Sequence, residues 1–144
     1  ALPTYERIDP DWLPPLGVTS GAFAESSAGA IARFQTAMET DKPKMDALLE
    51  QSNRAVSAVA EAGGWDGGRR ALEAAREIGI KIGESIGVPA DVDPENVYGR
   101  DPGACGTRFM KALGAGRETI GLLPYLSDCG DTRVPCDTEG LRWE

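Results

Sequence analysis

A chain of 144 residues and 15.2 kDa is one domain's worth of polypeptide. Its 15 Lys and Arg against 23 Asp and Glu give a net charge of −8 and a pI near 4.6, a balance that repels phosphates and makes nucleic acid a poor partner. It contains no His, which removes Ser-His-Asp and Cys-His nucleophilic catalysis, histidine general bases and the usual catalytic zinc sets.

Leu, Ile, Val and Phe together make up about a fifth of the chain, the level at which high net charge begins to predict disorder, so the expected core is thin. Gly 18 and Pro 10 further weaken helix and strand interiors. No stretch approaches the roughly 20 apolar residues of a membrane span. The most apolar uncharged stretch, from Trp12 to Ala24, is broken by Pro14, Pro15, Gly17 and Gly21. The sequence opens at Ala1 without an apolar leader and is expected to be a mature form whose targeting peptide has been removed.

Residues 1–19 carry Pro3, Pro10, Pro14 and Pro15, which exclude a regular helix or a central strand. They are expected to form an extended arm, with Leu2, Tyr5, Ile8, Trp12, Leu13 and Leu16 as the side chains that seek a surface. A helical body over 20–87 follows. Phe23, Ser27, Ile31, Phe34 and Met38 recur at helical spacing, with Thr19 or Ser20 as caps. A second helix starts near Thr40 or Asp41, takes Pro43 in its first turn and aligns Met45, Leu48, Leu49, Ser52, Val56 and Val59 before Gly63-Gly64 stops it.

The third helix is expected from an Asp66 cap through Ile86, with Leu72, Ala75, Ile78, Ile82 and Ile86 inward and Gly87 and Pro89 as its stop. Gly79, Gly83 and Gly87 fall at four-residue spacing and make a flat strip. Interior glycines cost about 1 kcal/mol each, so Gly79 and Gly83 are read as sites of close helix packing, with a planar ligand as the alternative. The chain beyond 88 is expected to hold a turn at Asp91–Glu95, which has the opening of a calcium loop without its closing Glu. A fourth helix is expected from Cys105 or Gly106 to Ala115, continuing toward Leu123, and then an irregular tail. Little or no strand is expected. The fold class is therefore mainly α: a single domain over 1–144, a small three- to four-helix bundle with a Pro-rich arm and a cysteine-containing tail.

Cys105, Cys129 and Cys136 cluster in the last 40 residues, which suits a local disulfide in an oxidising compartment. Cys129 with Cys136 closes a small loop; Cys105 pairing with either, or three reduced thiols, are the alternatives. Among groups that could carry chemistry, Glu73 and Glu77 share a helix face, but Arg69, Arg70 and Arg76 lie there too and make a solvated ion-pair face the plainer reading. Cys105 at a helix N-terminus has no identifiable base beside it, and Glu50, Gln51, Asn53 and Glu84 are single oxygen ligands without a pattern. No catalytic, metal or cofactor site is assigned.

The residues favour a noncatalytic accessory subunit whose extended termini lie across a larger multi-subunit complex, membrane-associated but without a span of this chain's own. The natural setting is the lumenal or periplasmic face of a photosystem or respiratory complex. Trp65 and Trp143 join the arm residues as interface candidates, and Leu2, Trp12 and Trp143 are expected to be more exposed than apolar side chains should be. The alternatives are a helical module enclosing a flat hydrophobic cofactor or pigment, and an exported carboxylate-dependent enzyme.

Overall fold

Helical periodicity and glycine stops build the body, and strands from both ends of the chain close a sheet beside it. The structure, a computed structural model, describes residues 3–4, 6–8, 10–20, 27–88, 111–113, 120–125 and 132–135. In chain order these form β1 (Leu16–Ser20), α1 (Ser27–Thr40), α2 (Lys42–Glu61), α3 (Trp65–Ile86), β2 (Lys111–Leu113), β3 (Ile120–Pro124) and β4 (Thr132–Val134). The chain is mainly helical, as expected, and none of its described helices is long and apolar enough to cross a membrane.

α2 and α3 form an antiparallel hairpin about the turn at 62–64. α2 begins after Asp41, with Pro43 in its first turn where the missing N–H costs nothing. Its buried residues are Met45, Leu48 and Ala55, with Ser52 and Val59 half-buried on the same stripe. Val56, expected inward, is 62% exposed. It lies one position off that stripe, and Ala55 takes the inward place because a methyl lets α3 come close. Ala71 of α3 is likewise buried, and the two alanines stand at equal distance along the hairpin from Gly63.

The N-cap of α3 is Gly64, two residues before the expected Asp66, which instead puts its charge in the first turn of the helix. The other end closes as the sequence indicates. Gly87 adopts φ 68°, its N–H donates to Glu84 O, and the N–H of Val88 donates to Gly83 O at 2.9 Å with the Val88 side chain buried. This is a Schellman stop, in which only glycine takes the left-handed position without strain.

The expectation of little or no strand is corrected by a four-stranded antiparallel sheet of order β2-β3-β1-β4. Leu16 does not belong to a free arm but opens an interior strand, paired with Pro124 on one side and Val134 on the other. Thr19 and Ser20, expected as helix caps, are its last residues. The prolines stop at position 15, so β1 itself keeps all its donors, and the N–H of Tyr125 extends the pairing by donating to Pro15 O, with no return bond because Pro15 has no N–H. The fourth helix expected over 105–115 and toward 123 is replaced, at 111–113 and 120–124, by strands. Leu123 is 0% exposed on the face it shares with Gly17. Gly17 offers no side chain there, and the Arg133 guanidinium crosses β1 to lie 6.0 Å from the centre of the Tyr125 ring.

Trp12 connects the sheet to the hairpin. A turn closed by the Leu13 N–H donating to Pro10 O brings it over the 62–64 corner, where its Nε1–H donates to Ala62 O at 3.2 Å. That carbonyl belongs to the end of α2, which has no helical partner for it. The indole lies 6.4 Å from the Trp65 ring, tilted by 40°, and its six-membered ring covers Gly68 so closely that a β-carbon there would collide with it. Gly67 has open space at the same position. Gly67→Ala should therefore stabilise the protein by about 0.5–1 kcal/mol through helix propensity. Gly68→Ala should destabilise it by about 1–2 kcal/mol, because displacing an indole outweighs the same gain. Denaturant melts of the two variants, followed by tryptophan fluorescence, check the opposite signs.

Candidate functional site

Three places on the described surface could act on something outside the chain: the Trp12 seat, the charged face of α3, and a groove beside α1. At the seat, Trp12, Leu13, Leu16 and Trp65 are half-buried within the chain's own fold. Of the proposed arm anchors, Ile8 stays open, 44% exposed. Leu2, Tyr5, Trp143, Cys105, Cys129 and Cys136 lie outside the described residues, as do Phe23 and the turn at 91–95.

On α3, Arg69 Nη1 donates to Glu73 Oε1 at 3.2 Å, and Glu77 is exposed. On α2, Arg54 and Glu50 pair at 2.6 Å, and Lys42 and Asp46 at 2.7 Å. These are i,i+4 pairs on wet helix faces, worth tenths of a kcal/mol each. Gln51 and Asn53 are exposed, and no group of three Cys, Asp or Glu that could hold a metal occurs among the described residues. The glycine strip on α3 is not an open plane: Gly83 is buried and Gly79 half-buried.

The groove lies between the last turns of α1, the start of α2 and the end of α3, and encloses about 510 Å³. Met45 is its floor, 1% exposed. Thr36, Thr40 and Ser85 line it, but each hydroxyl donates to a carbonyl one turn back in its own helix, so none of those protons faces the opening. Asp41 is the one carboxylate among the described lining residues, which include no second acid for paired-carboxylate chemistry. Arg33 and Lys44 are its cations, and Arg33 Nη1 donates to Gly87 O at 3.0 Å. That carbonyl lies at the negative end of the α3 dipole, where a cation is favoured.

α1 itself buries no residue. Ile31 is 57% exposed, and Phe34 and Met38 on the same stripe are half-buried. Sequence reasoning missed Gly68 and Arg33. The first had a signal, the pair Gly67-Gly68 in the first turn of a helix, where glycine costs propensity and needs a reason. The second is a single cation in an otherwise apolar run and had none. No protein-family model, curated protein or solved structure matches the chain. If the face of α3 is solvated structure and nothing more, Glu73→Gln with Glu77→Gln should change stability by less than about 1 kcal/mol. Urea melts of the double variant and the parent measure this.

Proposed function

We propose that this chain is a noncatalytic accessory subunit that docks on a larger protein assembly, with α1 and the exposed part of the N-terminal arm as its docking surface. The observation that carries the reading is α1: fourteen residues of helix with Ile31, Phe34 and Met38 on one stripe and not one of them fully buried. A surface helix ordinarily turns such a stripe to the core of its own domain. Ile8, exposed in the arm, is a further large apolar side chain left open to a partner. Trp12 and Trp65 do not belong to the docking surface, because they hold the chain's own corner together.

The finer setting, the lumenal or periplasmic face of a membrane complex such as a photosystem or respiratory complex, rests on the clustering of Cys105, Cys129 and Cys136. Native mass spectrometry of the protein isolated gently from its source tests the docking reading. It should run in a large assembly that survives moderate salt. Ile31→Glu should release it, with an affinity loss of tenfold or more. The monomer's stability should stay within about 0.5 kcal/mol, since more than half of the residue is already in water. The protein running alone, with no partner bound, in every preparation would end the proposal.

A further inference from the structure

We infer that α1 is a hinged arm: it pivots as a rigid helix about Asp41 and is latched to the body by Arg33 on the C-terminal stop of α3. The latch stands on its own geometry and does not depend on what α1 docks to.

The joint is a single residue. Asp41 has φ −144° and ψ 58°, off the helical region, and its side chain makes no capping hydrogen bond. Backbone hydrogen bonding nevertheless runs through it. The Asp41 N–H donates to Ala37 O at 2.9 Å, and the Met45 N–H donates to Asp41 O at 3.1 Å. Rotation at this one residue therefore changes the angle between α1 and α2 while each helix keeps its internal bonds.

The two sides of the joint differ in how they are held. α2 and α3 fully bury Met45, Leu48, Ala55, Ala71 and Ile78 against each other and the rest of the body, whereas α1 rests on them through residues such as Phe34 and Met38 that are no more than half-buried. The groove of about 510 Å³ lies in the angle between them, so the flank of α1 next to the joint is not closed onto the body. The groove is poorly furnished as a ligand site, since its three hydroxyls are turned back on their own helices and its arginine is engaged. Clearance for a moving helix accounts for it more simply. Across the gap, Arg33 Nη1 reaches Gly87 O, a carbonyl fixed by the Schellman stop and therefore a rigid strike plate.

Ala28 lies thirteen residues from the joint, about 20 Å along the helix, so a tilt of about 15° displaces it by about 5 Å. Spin labels at Ala28 and Glu77, both exposed, report this motion by pulsed electron–electron dipolar spectroscopy. They are attached through a ketone-bearing amino acid, because Cys105, Cys129 and Cys136 would compete for a thiol label. The parent should give one narrow distance. Arg33→Ala should shift or broaden it by about 5 Å, with unchanged far-UV circular dichroism and unchanged hydrogen-exchange protection of the α1 amides. An unaltered distance in Arg33→Ala would overturn the latch. Loss of helix signal or of α1 protection would overturn the pivot, because α1 would then melt instead of swinging.

Discussion

The fold depends on one close approach, the indole of Trp12 lying directly on the backbone of α3 at Gly68. The described part of the arm, and through it β1, is tied to the helical hairpin at this corner, and β2 meets α3 as well. The contact serves two purposes at once. It covers a helix start that has no side-chain cap, and it gives the carbonyl at the end of α2 the partner that helical geometry denies it. Any residue larger than glycine at position 68 lifts the ring, and with it the registration of strand against helix.

With that corner fixed, the core can be small. Among the described residues its fully buried apolar members are few and mostly modest in size, with Met45 and Leu123 the largest side chains completely shielded. A domain of this kind holds its centre with short, close contacts between small residues and leaves its periphery loosely attached. α1 is that periphery. Its lack of burial is what makes it both the best candidate surface for another protein and the element with most freedom to change its angle.

The helices were legible and the strands were not, for physical reasons. α2 and α3 are long enough for the apolar period to repeat four or more times, and Pro43, Gly63-Gly64 and Gly87 punctuate them where backbone chemistry requires it. Each of β2, β3 and β4 is three to five residues long, too short to show alternation, and β3 carries Gly121 and Pro124 within it. Phe109, Met110 and Leu113 happen to fall at helical spacing, and the partners that make a strand of 111–113 lie elsewhere in the sequence. Val56 is the more hydrophobic of the two neighbours, yet size decides the position and Ala55 is the one buried. The docking candidates in the arm divided in the same way: Ile8 is open, whereas Trp12, Leu13 and Leu16 are engaged by neighbours the sequence could not reveal.

The sheet also orders events in time. β1 leaves the ribosome before α1, α2 and α3, yet its two neighbours, β3 and β4, arrive only after the entire hairpin has been made. Leu16 must wait for Pro124 and Val134 before either edge of its strand is paired. At typical synthesis rates that interval lasts several seconds, during which α2 and α3 can fold on local contacts alone. The nascent chain thus carries a finished helical hairpin with an unpaired strand ahead of it. Such an edge invites pairing with another copy, and the prolines at 14 and 15 just before it shorten the stretch on which a stranger could anneal.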